Sequence, residues 1–138
     1  MADYVDVLYD HHFDEAASPA ARTAAVTAMK RAHEIQTLAP LLDFLVDRDD
    51  VRILGNASIG NDARRVPTVA LDTKKPAEGV AEALATHGIM AGAGDFYALR
   101  TIGAMGCDKD AGVLRLSFVH YTTDAEVAKL MTALDATL

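Results

Sequence analysis

The chain has 138 residues, of which 51% are hydrophobic, and a formal net charge of −7 at pH 7. This length fits one domain, which can bury about 68% of its unfolded surface without a metal or disulfide. The acidic residues are spread along the chain, so we expect neither a nucleic-acid nor a membrane partner. No apolar run approaches the ~18 residues needed to span a bilayer. The one cysteine, Cys107, cannot form an internal disulfide, which favours a cytoplasmic protein.

The first segment, residues 1–13, is predicted to be helical because apolar residues recur in it at helical spacing. These residues are Tyr4, Val5, Leu8 and Tyr9. We interpret residues 1–17 as a connector segment that precedes one domain at residues 18–138.

A long helix is predicted next. Ser18 and Pro19 form an N-cap and first-turn pair. Pro40 lacks a backbone donor and clashes with the carbonyl four residues earlier, so the helix should bend or restart there. We expect it to end near Asp47.

A loose hairpin is predicted after this helix. Residues 51–54 and 66–71 are rich enough in β-branched side chains to form strands, and residues 55–65 between them have turn chemistry. Pro67 cannot donate to a ladder, so it should lie at an edge or outside the pairing.

A second helix and a brief strand are predicted before the C-terminal third. Pro76 at a first turn and Gly88 just past the end delimit the helix, whose apolar stripe includes Val80 and Leu84. Residues 89–91 should then form a strand.

The C-terminal third begins with a Gly-Ala-Gly turn at residues 92–94. Asp95 is predicted to cap a short helix that carries Tyr97 and Ile102. This helix should end near Gly103 or Gly106.

Residues 113–121 alternate with period two. Leu114 and Leu116 share one face, whereas Arg115 and Ser117 share the other. Thr123 and Glu126 form a capping box before an amphipathic last helix. The elements together predict an α+β domain, in which a small, mostly antiparallel sheet of about four strands has helices on one face.

Arg115 is the best candidate for a functional residue. Its guanidinium is a rigid fork of donors that matches a carboxylate, and a strand fixes its stem. From the residues alone, a solvated arginine on the open face of a sheet is the better interpretation, because arginine is mostly exposed.

Two segments carry a resemblance to a known family: GIMAGAGDFYALR at residues 88–100 and GVLRLSFVHYTTDAEV at residues 112–127. Their order and spacing resemble the C-terminal small domain of class V aminotransferases of PLP fold type I, in the cysteine-desulfurase-like branch. The resemblance implies that Arg115 binds the α-carboxylate of an amino-acid substrate. It also implies that Gly94, Asp95 and Tyr97 line the substrate pocket, although a helix cap followed by core aromatics explains the latter two equally well.

The desulfurases of this family bear a sulfur-carrying cysteine in the loop that corresponds to residues 92–97. Tyr97 lies at or beside that place, and a phenol cannot carry sulfur, which argues against persulfide chemistry by this route. Cys107 lies about ten residues further on, and an ordinary thiol is a better interpretation of it than a displaced nucleophile. His120 is interpreted as structural, and the adjacent His11 and His12 diverge too much to chelate a metal.

The resemblance further implies a cofactor, pyridoxal 5′-phosphate, but only in a complete enzyme. Its lysine, its acidic partner and its phosphate cradle belong in this family to a large domain that is absent here. We therefore expect this chain to be a fragment of a homo-oligomeric, specifically homodimeric, enzyme, with no catalytic residue, bound cofactor or activity of its own. The alternative is a free-standing module that binds a small ligand or regulates another protein.

Overall fold

The computed structural model describes residues 2–58 and 66–138. Five helices lie in this part of the chain: α1 (Ala2–His12), α2 (Pro19–Val46), α3 (Ala77–Thr86), α4 (Leu99–Ala104) and α5 (Asp124–Thr137). The four strands are β1 (Val51–Leu54), β2 (Thr68–Thr73), β3 (Gly92–Gly94) and β4 (Val113–Ser117). Among these described residues, no helix combines the length and hydropathy that crossing a membrane requires.

The strands form one antiparallel sheet in the order β1-β2-β4-β3. The core lies on one face of this sheet, under α2, α3 and α5. Its fully buried side chains come mostly from leucines and valines of these helices and of the two central strands: Leu41, Leu42, Leu45, Val69, Leu71, Val80, Leu84, Leu114, Val127 and Leu134. The predicted α+β class, with a four-stranded antiparallel sheet, is confirmed.

Among residues 2–58 and 66–138, a smaller cluster covers one end of the opposite face of the sheet. Ile102 of α4 and Cys107 pack on Val113 in this buried cluster. Arg115, two residues further along β4, is exposed on the same face. The face that carries Arg115 is therefore partly open.

The first two helices begin and end close to their predicted positions. The Ser18 hydroxyl accepts the Ala21 N–H at 3.3 Å, and Asp47 is the C-cap of α2. The helix does not restart at Pro40 but runs through it as one element. Helix α1 packs on α2 through Arg22, which forms ion pairs with Asp6 and Asp10.

The predicted hairpin is confirmed, because β1 pairs with β2. The second strand runs from Thr68 to Thr73, two residues later than expected, and Pro67 precedes it. The predicted turn between the strands falls partly on residues 59–65, which lie outside the described residues. Helix α3 begins at Ala77, with Pro76 as its N-cap, and Gly88 follows it with φ +69°.

The prediction around residue 90 is wrong. Residues 89–91 are not a strand; the strand is Gly92–Gly94, which the sequence predicts as a turn. These three residues pair with Val113, Leu114 and Arg115 of β4. Pairing with a neighbouring strand here overrides the weak strand preference of glycine.

The capping box of α5 is present as predicted. The Thr123 hydroxyl accepts the Glu126 N–H at 3.2 Å, and the Glu126 carboxylate accepts the Thr123 N–H at 2.8 Å. We expect Thr123→Ala to lower the free energy of unfolding by about 1 kcal/mol at neutral pH, because the N-cap hydrogen bond is lost. Thermal and urea unfolding measure this loss. Thr132→Ala, in the middle of α5, is the control, and equal losses in the two variants would contradict a capping role.

The stability that this capping box contributes depends on pH. Its hydrogen bonds, chiefly that from the Thr123 N–H, hold the pKa of Glu126 below its ordinary value. The stabilisation is therefore fully present above the pKa of the unfolded glutamate and is lost as the pH falls through the lower folded pKa.

Candidate functional site around Arg115

Arg115 lies in the middle of β4, between β2 and β3. Its cross-strand partners are Ala70 on one side and Gly92 on the other. Neither neighbour has a bulky side chain, so neither crowds the arginine stem on the open face. Strand alternation therefore directs Arg115 away from the core, as the sequence predicts.

The Phe96 ring packs against the Arg115 guanidinium. The Arg115 Cζ lies 4.1 Å from the centroid of the Phe96 ring, which is cation–π geometry. The ring also packs against Gly92, where an added Cβ would lie 3.1 Å from the Phe96 Cζ. Gly92, Phe96 and Arg115 thus form a stack in which the glycine makes room for the ring.

The turn that places Phe96 is strained. Phe96 and Tyr97 both have positive φ, 50° and 60°. Residues other than glycine rarely adopt this backbone conformation, and it persists only where surrounding contacts stabilise it. Here the Asp95 carboxylate accepts the Tyr97 N–H at 2.8 Å, and the Asp95 carbonyl accepts the Ala98 N–H at 2.8 Å.

Asp95 and Tyr97 do not have the positions in a helix that the sequence predicts. Helix α4 begins at Leu99, with Ala98 as its N-cap and no side-chain cap. Asp95 instead stabilises the turn between β3 and α4, because its carboxylate accepts the Tyr97 N–H within that turn. Tyr97 lies outside the helix, and its side chain is fully exposed to solvent.

Gly94 ends β3 with φ +124°. It lies against Gly112, where an added Cβ would be 3.0 Å from the Gly94 Cα. Gly112 is thus needed for this close approach of the backbones, whereas Gly94 is favoured by its positive φ, since an added Cβ at Gly94 would meet nothing within 4 Å. The structure brings Arg115 together with the turn after β3 through Phe96, a residue that the sequence analysis did not select.

Cys107 is a poor candidate for a nucleophile. It is buried, and burial raises the pKa of its thiol, with a further contribution from Asp72. Arg52 donates to the Cys107 Sγ at 3.3 Å and to Asp72 at 2.7 Å. The charge of Arg52 lowers the pKa of the thiol but offsets only part of the increase. A thiol with a raised pKa has little reactive thiolate at neutral pH.

His33 and His120 have protein partners. His120 interacts with the Tyr4 hydroxyl, and the His33 ring lies 2.8 Å from the Thr122 carbonyl oxygen. In residues 2–58 and 66–138, no three His, Cys, Asp or Glu residues form a group that could hold a metal ion.

Comparison with known proteins agrees with this architecture. No protein-family model matches the chain. The chain is 33% identical over 111 residues to the aminotransferase-like protein FGM3 of Gibberella zeae, a match that covers 77% of this chain and 27% of that protein.

Solved structures of cysteine desulfurases have the same fold. The cysteine desulfurase CsdA of Escherichia coli superposes with a TM-score of 0.59 and 24% identity, over 80% of this chain and 24% of that one. A NifS-like protein of Rickettsia africae superposes with a TM-score of 0.65 and 19% identity, over 86% of this chain and 31% of that one. The chain therefore spans about a quarter to a third of the length of these proteins.

The comparisons confirm the resemblance. The chain has the fold of the small domain of cysteine desulfurases and is similar in sequence to an aminotransferase-like protein. They support a class V aminotransferase or cysteine-desulfurase-like C-terminal domain.

The described residues do not by themselves fit pyridoxal 5′-phosphate. Such a site combines a reactive lysine with an acidic group and a phosphate cradle. Lys129 and Glu126 line one cavity, but the Glu126 carboxylate is bound to Thr123. Lys75 donates to the Thr137 carbonyl. We derive no chemistry for this cofactor from the chain alone.

Phe96→Leu is expected to loosen Arg115, because leucine offers the guanidinium no aromatic face. The Arg115 Nε–H signal should lose its ring-current shift, and its heteronuclear NOE should fall. NMR of the arginine side chains measures both. Tyr97→Leu is the matched control, since Tyr97 has a similar backbone conformation but a fully exposed ring; if it changes the Arg115 signal as much as Phe96→Leu does, the ring stack is not what orders the guanidinium.

Proposed function

We propose that this chain is the C-terminal domain of a PLP-dependent class V aminotransferase or cysteine-desulfurase-like enzyme, in which Arg115 binds the carboxylate of an amino-acid substrate. The observation that carries the proposal is the exposed Arg115 guanidinium on the open sheet face, supported by the Phe96 ring. The cofactor and its lysine belong in this proposal to polypeptide outside the chain.

The geometry of Arg115 suits a carboxylate. The Arg115 Cζ lies over the Phe96 ring, 4.1 Å from its centroid, and the N–H donors of a guanidinium lie in the plane of the group. A carboxylate that approaches in this plane can accept two parallel hydrogen bonds. Stacking also limits the rotamers of the arginine before the substrate binds, which reduces the entropy lost on binding.

The turn at residues 94–97 forms the neighbouring wall of the proposed pocket. Gly94 and Asp95 fix its backbone, and Tyr97 extends into solvent, where a substrate or another part of the enzyme can reach it. The thiol nearest in sequence, Cys107, is buried under α4. The proposed enzyme therefore does not transfer sulfur through a thiol of this turn. This favours transamination, epimerisation, or removal of sulfur or selenium from the substrate without a protein-bound persulfide.

Substitution of Arg115 tests the proposal in the native protein. Arg115→Gln should lower kcat/KM for an amino-acid substrate about 30-fold or more, because loss of one partner of a buried carboxylate pair costs at least ~2 kcal/mol. Arg115→Lys should recover part of this loss through its charge. Kinetics with the amino acid and with the corresponding amine, which lacks the carboxylate, measure the effect.

Arg100→Gln is the control for this test. Arg100 is an exposed arginine of α4, which follows the turn after β3. Its substitution should leave kcat/KM unchanged. A result in which Arg115→Gln affects the amine and the amino acid equally would exclude a carboxylate-binding role.

A free-standing module is the alternative, and the exposed apolar side chains argue against it. Val7 of α1 is 67% exposed, and Met90 before β3 is 98% exposed. Single exposed apolar side chains are common on protein surfaces, but a face on which further polypeptide docks must also expose apolar side chains. A module that functions alone should have a closed surface.

The isolated chain is therefore expected to self-associate and to bind a hydrophobic dye. Val7→Lys should reduce both effects, since α1 would present a charge at the docking face. Val66→Lys is the matched control, because Val66 is 68% exposed in another part of the chain. Size-exclusion chromatography and dye fluorescence measure these effects, and a wild-type chain that is monomeric and binds no dye would favour the module.

A further inference from the structure

A cavity of about 450 Å³ lies between α1, α2 and the turn after β4, away from the site around Arg115. Cavities of about 300–1,000 Å³ are typical of small-molecule sites. Leu8 and Met29 supply apolar lining, and Tyr4 and Tyr121 supply aromatic rings. We name it the Lys30 cavity, after the one lysine among its lining residues.

The ionisable groups that line this cavity are basic or phenolic. Lys30, His12, His33 and His120 line it together with the two tyrosines, and no carboxylate is among the lining residues. This composition contrasts with the net charge of −7 of the whole chain. Lys30 is thus the one lining side chain with a full positive charge at neutral pH, and no lining carboxylate neutralises it.

Lys30 is partly buried and has no ion pair or hydrogen bond in the described part of the chain. Glu34, one turn further along α2, does not pair with it there. Because this ammonium is only partly accessible to water and has no partner there, an anion beside it would gain a charge-assisted hydrogen bond.

Two hydrogen bonds connect the walls of the cavity. The His33 Nε2 lies 2.8 Å from the Thr122 carbonyl oxygen, which can only accept, so this nitrogen carries the proton. The Tyr4 hydroxyl is bound to His120 Nε2 and thereby connects α1 to the turn after β4. A preformed cavity binds a ligand with less loss of entropy than one that must first assemble.

From these observations we infer that the Lys30 cavity binds a small organic carboxylate with an aromatic or other apolar body. The carboxylate pairs with the Lys30 ammonium, and the apolar body lies against Leu8, Met29 and the tyrosine rings. This site is independent of Arg115 and of the function proposed for it.

Benzoate titrated into the full chain tests the inference. It should shift the ring NMR signals of His33 and His120 in a saturable manner, whereas benzamide, which has the same shape but no charge, should bind at least about tenfold more weakly. Lys30→Met keeps the apolar stem and should weaken benzoate binding about tenfold or more. Lys30→Arg should retain most of the affinity.

Lys74→Met is the matched control, because Lys74 lies in the turn after β2 and does not line this cavity. It should bind benzoate like the unmodified chain. Thermal unfolding of each variant verifies that the fold is intact. The inference is overturned if benzoate produces no saturable shift, if benzamide binds equally well, or if Lys30→Met binds benzoate with unchanged affinity.

Discussion

The pairing of β4 with both β2 and β3 is the constraint on which the rest of the structure depends. Leu114 and Leu116 of this strand pack into the core under α2, α3 and α5. Because side chains alternate along a strand, this burial fixes Arg115 on the opposite face. A shift of one residue in register would bury the arginine and expose the leucines, so the hydrophobic core itself specifies where the guanidinium lies.

The same pairing explains the composition of the turn after β3. Gly92 lies opposite Arg115, and the absence of a side chain there lets the Phe96 ring fold back over the strand. This requires positive φ at Phe96 and Tyr97, which the Asp95 carboxylate helps to hold. Backbone strain, a glycine and an aromatic ring are thus combined around one arginine, and strain of this kind is concentrated at functional sites.

The two candidate sites are built differently. Around Arg115 the guanidinium has its own aromatic support and lies on a partly open face, so it needs a further surface to enclose a ligand. The Lys30 cavity has walls from two helices and a turn, and hydrogen bonds connect them. The first arrangement suits a domain that completes a larger pocket, and the second suits a small ligand held by this chain.

The sequence by itself determined the features that depend on local chemistry. The N-cap at Ser18, the capping box at Thr123 and the buried alternation of β4 follow from residue types and their spacing, because the groups that interact are a few residues apart. The α+β class and the exposed position of Arg115 follow from the same patterns.

Only the tertiary structure decided where β3 lies and what surrounds Arg115. Gly92 and Gly94 favour a turn locally, but the edge of β4 supplies hydrogen-bond partners that make residues 92–94 a strand. Phe96 reaches Arg115, and Lys30 joins His33 and His120 around one cavity, through contacts between residues that are distant in sequence. Local propensity carries no information on such contacts, since they depend on how the elements pack.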